Sequence, residues 1–155
     1  MAGLDLRYNQ LMAKITLKSV HDKPGIAAEV FSVLSEHGIA VELLTTSPAG
    51  RNKGDISFAI PMDQIPAVET QIESIRKEIG YKSLDSDPGV SVVNIHGDEL
   101  SQNPATASRI LKALAAGGVN LQMISQSLNY LSFLINRSQL AQVLDIMKGS
   151  FGTGS

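Results

Sequence analysis

The chain has 155 residues, 43% hydrophobic and 18% charged, with thirteen basic against fifteen acidic side chains for a net charge of −2. That allows one domain or two small ones of ordinary globular composition. The absence of a basic excess and of Trp argues against nucleic acid as a partner, and no apolar run nears the ~20 residues of a membrane span. There is no Cys, which removes disulfides, thiolate catalysis and zinc–thiolate sites. The first residues, Met1 to Asp5, lack the basic and apolar regions of a signal peptide. Together these features predict a cytoplasmic protein.

Residues 4–8 alternate apolar and polar over a short span, and Asn9 and Gln10 then break the pattern. Alternation resumes at 13–19, where Ile15 and Leu17 sit between Lys14, Thr16 and Lys18, the period of a half-buried strand. Ile26, Val30, Val33 and Leu34 follow at helical spacing and predict a helix over 25–37, stopped by Gly38. Residues 39–46 read as a β-branched strand, 47–54 as a polar turn, and 55–60 as a strand ended by Pro61. Val68, Ile72, Ile75 and Ile79 mark a second helix closed by Gly80, and 81–84 reads as a strand. Asp85-Ser86-Asp87-Pro88-Gly89 has the composition of a linker.

The order then recurs. Strand 90–95 is followed by a loop at 97–103, a helix opened by Pro104, a Gly117-Gly118 stop, strands at 119–125 and 130–135, and a helix carrying Leu140, Val143, Leu144 and Met147. Pro24 and Pro104, Val30 and Ile110, Leu34 and Leu114, and Gly38 and Gly118 share an offset of 80 residues. Past the 47–54 turn the offset is 75, pairing Ile56 with Leu131, Phe58 with Phe133 and Val68 with Val143. One offset with one indel is the signature of an internal duplication.

Each copy reads strand-helix-strand-strand-helix-strand, so the expected class is α+β: two ferredoxin-like βαββαβ modules, each an antiparallel sheet with helices on one face. The second copy lacks its last strand, because the counterpart of Tyr81 would fall at residue 156. The segment at 4–9 is the natural replacement, which makes the first module an insertion within the second. The expected boundaries are 13–87 for the first module and 4–9 plus 88–148 for the second, with 149–155 a flexible tail.

Asp22-Lys23-Pro24-Gly25 joins the first strand to the first helix. Pro24 lacks an N–H and fixes φ at the helix entrance. Gly25 has no Cβ, which lets a ligand or a second backbone approach. The first N–H groups of a helix are unpaired and carry partial positive charge, so the junction suits a small carboxylate. A tight turn with no ligand fits the same residues.

This motif, with Ile26-Ala27-Ala28-Glu29-Val30-Phe31 after it, resembles an ACT domain. With Asn9-Gln10 ahead of Ala13-Lys14-Ile15-Thr16-Leu17, the strand Asp55-Ile56-Ser57-Phe58, and the run Gly118 to Ser125, the chain resembles the tandem ACT regulatory region of aspartate kinases over about residues 4–148. The resemblance implies an insertion of the first module in the second and a homodimer. It implies that a feedback effector, threonine or lysine, binds between the first module of one chain and the second of another. By position, Asp22 meets the α-ammonium, while Lys23, Pro24, Gly25, Ile26 and Ala27 form the turn and helix entrance that meet the α-carboxylate. Thr46 and Ser47 stand where the family usually has Gln and Asn. Asn120 and Leu121 match the second-module backbone facing the pocket. The second module's own turn, Gln102-Asn103-Pro104-Ala105, lacks the usual Gly, so no equal site is expected there. Nothing resembles a kinase domain, and the implied further partner is a catalytic aspartate kinase subunit or domain.

Other candidates are weaker. His21, His37 and His96 have neither a nucleophile nor metal-ligand spacing and read as structural or solvated. No catalytic residue, metal site or cofactor is expected. Asp98-Glu99 reads as a solvated loop, Met123 and Met147 as core fillers, and Ser125-Gln126-Ser127 either lines a pocket or ends a strand. An enzyme would need convergent titratable groups. An RNA-binding domain would need exposed aromatics and positive charge. Both fit less well than a regulatory amino-acid-binding module; the alternative is a free-standing ACT-domain protein that senses another amino acid or serves as a dimerisation module.

Overall fold

In the computed structural model, which describes residues 3–153, the strand and helix order runs through the chain twice. The chain divides into two compact units, Met12–Pro88 and Met1–Leu11 with Gly89–Ser155. Two long strands, β1 (Asp5–His21) and β4 (Ser83–His96), supply residues to both.

The first unit contains the later part of β1, then α1 (Ile26–Glu36), β2 (Glu42–Gly50), β3 (Lys53–Pro61), α2 (Ile65–Ser74), α3 (Arg76–Ile79) and the start of β4. β3 runs antiparallel to both neighbours, with Phe58 opposite Ile15 and Ile56 opposite Thr46. The Lys82 N–H donates to the Lys18 carbonyl at 2.8 Å, which brings the start of β4 beside β1. Ile26, Val30 and Leu34 recur at the spacing that lines one helix face, and all three are buried against Ile15, Leu17, Phe58 and Ile72. Burying each such side chain contributes about 1.5–3 kcal/mol.

In the second unit α4 (Asp98–Gln102), α5 (Ala105–Ala116), β5 (Met123–Gln126), β6 (Tyr130–Asn136) and α6 (Leu140–Phe151) accompany the ends of β1 and β4. β6 lies between β4 and β5, with Phe133 opposite Val93 and Ile124. The N-terminal part of β1 belongs to this sheet. The Gln10 carbonyl accepts from Ser91 Oγ at 2.8 Å and from Arg137 Nε at 2.9 Å, and Leu4 and Leu6 join the core with Phe133 and Met147. The architecture is α+β, two ferredoxin-like modules with antiparallel strands.

Several local expectations need correction. Asn9 and Gln10 do not interrupt β1, because their exposed side chains leave the backbone free to pair. The 85–89 segment is strand rather than linker, for the same reason. The turn expected at 47–54 shrinks to Arg51 and Asn52, with Asn52 at φ 58°, since β2 and β3 run up to it on both sides. The second helix breaks at Ile75, whose φ of −111° lies outside the helical range. The strand expected at 119–125 begins only at Met123, and the loop at 97–103 contains α4. The segment 149–155 is not a free tail through its described part. α6 continues to Phe151, whose ring is buried in the second core, and Gly152 at φ 64° caps it. Residues 154 and 155 lie outside the described residues.

Candidate functional site

The first turn is shaped by an irregularity just before it. The β1–β3 register shifts between Leu17 and Val20, where Ser19 takes a positive φ of 57°. Its N–H donates to Asp55 Oδ1 at 3.0 Å, and Asp55 Oδ2 lies 3.5 Å from Lys18 Nζ. Such bulges re-aim the strand that carries them. Next, Lys53 Nζ donates to His21 Nδ1 at 3.2 Å, a contact that calls for an unprotonated Nδ1. The Asp22 N–H donates to the Asn52 carbonyl at 3.0 Å. These bonds bring β1 out of the sheet and into the turn.

Gly25 is the N-cap of α1 at φ 92°, a left-handed conformation that side chains with a Cβ rarely adopt. A Cβ there would meet no atom of the chain within 4 Å, so what requires glycine is the backbone conformation rather than crowding. No side chain caps this end. The Ile26 N–H turns back to the Lys23 carbonyl at 3.4 Å, and the neighbouring amides of the α1 N-terminus stay unpaired with their partial positive charge.

A cavity of about 390 Å³ opens over this end of the helix. Of the residues singled out by sequence, Asp22, Lys23, Gly25, Ile26, Ala27, Thr46 and Ser47 line it. Pro24 shapes the turn but is not in the wall. Asn120 and Leu121 belong to the second unit and do not line this cavity; Asn120 is exposed and Leu121 packs against the second core. The sequence reading missed Val20, His21, Ala28, Pro48, Gly54, Asp55 and Ile56. The available signal was the β2–β3 pairing, which sets Ser47 against Asp55 and Pro48 against Gly54. The Asp22 carboxylate, the Lys23 ammonium and the Thr46 and Ser47 hydroxyls have no side-chain partner among the described residues, whereas Asp55 and His21 are engaged. Besides the engaged Asp55, the wall thus presents one unpartnered carboxylate, one ammonium and two hydroxyls around a helix N-terminus, which can hold a zwitterion.

The second turn is built otherwise. Asn103 Oδ1 accepts from the Ala105 N–H at 3.1 Å, occupying a backbone donor where α5 begins. Thr106 is buried, and its Oγ1 donates to Glu99 Oε1 at 3.2 Å. That contact gives Glu99 a structural role, while Asp98 stays exposed.

The titration anomalies lie away from the cavity. The Tyr81 hydroxyl donates to Glu73 Oε2 at 2.6 Å, Arg76 Nη1 lies 3.1 Å from the same oxygen, and the Arg76 guanidinium sits 4.6 Å from the Tyr81 ring centre. Burial, then the hydrogen bond to Glu73, pushes Tyr81 up to about 12. That same bond holds Glu73 below its ordinary value. The group fastens the end of the first unit. Elsewhere, His37 Nδ1 pairs with the Val33 carbonyl and His96 stacks loosely near Tyr130.

Two family models, both of the ACT domain, match residues 15–80 and 93–151. The chain belongs to the ACT-domain family. Its tandem ACT modules are similar to the regulatory subunit of aspartate kinase from Thermus thermophilus in a ligand-free form, at 28% identity and a TM-score of 0.86, covering 97% of this chain and 99% of that one. They are also similar to the structure of aspartokinase alpha and beta subunits, at 25% identity and a TM-score of 0.85, with the same coverage. An aspartokinase of Mycobacterium bovis is 31% identical over 144 residues, 92% of this chain and 34% of the relative. The chain spans about a third of the length of the curated relatives it matches. It is an ACT regulatory region of the aspartate kinase type. No helix among the described residues is long and apolar enough to cross a membrane.

Proposed function

We propose that this tandem ACT region binds a free amino acid at the first module's turn and reports it through a dimer. The observation that carries the reading is the cavity at the α1 N-terminus, where the unpartnered Asp22 carboxylate and the Thr46 and Ser47 hydroxyls share one wall. The α-ammonium pairs with Asp22 in a charge-assisted hydrogen bond. The α-carboxylate sits on the helix-entrance amides of Gly25 and Ala27, with Lys23 adding charge. Asn120 and Leu121 of a second chain close the site, so binding and dimer arrangement are coupled. The module boundaries of this arrangement are 13–87 and 4–9 plus 88–148.

Of the two effectors the family resemblance implies, charge accounting favours threonine over lysine. Lysine brings a second ammonium, and the other carboxylate in the wall, Asp55, is already bonded to the Ser19 N–H and beside Lys18. Threonine brings a hydroxyl to Thr46 and Ser47. Bound effector then shifts the population toward one dimer arrangement, which in a kinase carrying these modules would be the less active one. The kinase polypeptide, in cis or as a separate subunit, is the proposed partner.

Thermal melts against a panel of the common amino acids, with mass measured in solution, test this. A ligand at 100 times its dissociation constant should add about 2.7 kcal/mol of stability. A monomer that shifts for none of them would overturn the reading.

A further inference from the structure

Two glutamines near the start of α6 add side-chain bonds to a segment of backbone whose first-module copy is held by main-chain bonds alone. Gln139 Nε2 donates to the Gly118 carbonyl at 3.1 Å, and its Oε1 accepts from the Asn120 N–H at 3.3 Å. Gln142 Nε2 donates to the Gly117 carbonyl. Three backbone groups within 117–120 are thus bonded to side chains of another element, in a stretch that β5 does not reach until Met123.

The duplication supplies the control. At the 75-residue offset Gln139 corresponds to Gln64 and Gln142 to Ala67. Gln64 Oε1 is buried without a hydrogen-bond partner, and Ala67 has no side-chain donor. In the copy of the loop at 37–40, His37 bonds back to its own helix at Val33 instead. The clamp exists in the module whose loop carries Asn120 and Leu121, and its counterpart is unmade in the other.

We infer that Gln139 and Gln142 are positioning residues for the amino-acid site, an inference that rests on the proposed function. They fix the 117–120 backbone before a ligand arrives, so the ordering entropy of that loop is not charged against binding. The clamp takes the Asn120 N–H and leaves its carbonyl and side-chain amide to meet the amino acid held at the first-module turn of a second chain.

The test uses the full chain with L-threonine and L-lysine as probes. Calorimetry gives affinity, and hydrogen exchange reads the Asn120 amide. The double variant Gln139→Ala/Gln142→Ala should speed Asn120 exchange at least about tenfold and weaken threonine binding about tenfold, the scale of one or two lost hydrogen bonds. Gln139→Glu keeps the acceptor for Asn120 but loses the donor to Gly118, and should fall between. Gln64→Ala should leave affinity unchanged. Unchanged Asn120 exchange in the double variant overturns the clamp. Faster exchange with unchanged threonine affinity overturns its positioning role and leaves it purely structural. Wild-type protein that binds neither probe overturns the threonine-or-lysine reading on which the inference rests, a failure visible before any variant is made.

Discussion

In the first module, the turn from β1 into α1 has Gly25 at a left-handed φ, no capping side chain and an unpartnered Asp22 beside it. In the second, the equivalent turn has Ala105 in place of the glycine, and Asn103 bonds the amide that a ligand would use. Both turns start a helix at the same point of the fold with a proline in the same place. The difference shows that the duplication keeps the proline-led helix entrance that packing needs and lets the capping chemistry of the two turns diverge. A helix entrance must be satisfied by something. Asn103 satisfies one of them from within, and no side chain does so at the other.

The widest test of the comparison is whether the two units fail separately. Phe58 and Phe133 are duplicates and both fully buried. Truncation of either to Ala should cost about 3–5 kcal/mol. Residue-resolved hydrogen exchange should show Phe58→Ala loosening 12–88 first and Phe133→Ala loosening 89–153 first; matching patterns would mean one cooperative body. Next, Asp22→Ala should remove about 2–3 kcal/mol of threonine binding, the worth of a hydrogen bond to a charged group. Because Asp22 is exposed, the ligand-free melting temperature should barely move. Calorimetry and a melt on one sample decide it.

Asn103→Ala should cost about 1 kcal/mol, the ordinary worth of a capping side chain, and urea titration measures it. The reverse change, Lys23→Asn, gives the first turn the second turn's chemistry. It should stabilise the ligand-free protein by a few tenths of a kcal/mol and weaken threonine about threefold to tenfold, since the added cap competes with the carboxylate. A variant that binds as tightly as wild type would show that the amide is not part of the site.

The smallest effect is alkaline. Tyr81 is the buried tyrosine among the described residues, and its pKa rises from 10.0 to about 12. A raised phenol pKa means that folding favours the neutral form. Its contribution is whole below the unfolded value of 10.0 and is lost as pH climbs toward 12. Urea midpoints on either side of pH 10 should therefore fall more steeply in wild type than in Tyr81→Phe.

Much of the fold was legible because periodicity reports burial. Ile15, Leu17 and Phe58 alternate, Val30 and Leu34 keep helical spacing, and the same pattern recurs at a fixed offset. What periodicity cannot report is strand where both faces are exposed. Asn9, Gln10 and the 85–89 segment read as breaks because their side chains meet water, although the strand continues through them. At the end of α6, Phe151 stands among Gly and Ser whose composition suggests a linker, and its burial depends on contacts with residues far away in sequence. In the site, the Pro-Gly turn was legible and the opposite wall was not. Asp55 lies opposite the register shift in β1, and no local pattern encodes that shift.

The bond from Arg137 to the Gln10 carbonyl joins residues 127 apart. Chains emerge from the ribosome N-terminus first, and non-local contacts are slow to form because loop closure precedes their reward. Residues 12–88 are all present long before Arg137 is made. The first unit can therefore mature while the strand at 5–11, with Leu4 and Leu6 still bare, waits for the other half of its own core. During synthesis that strand can meet Ser91 before Arg137 exists, and its core closes only once Phe133, Met147 and Phe151 have been made.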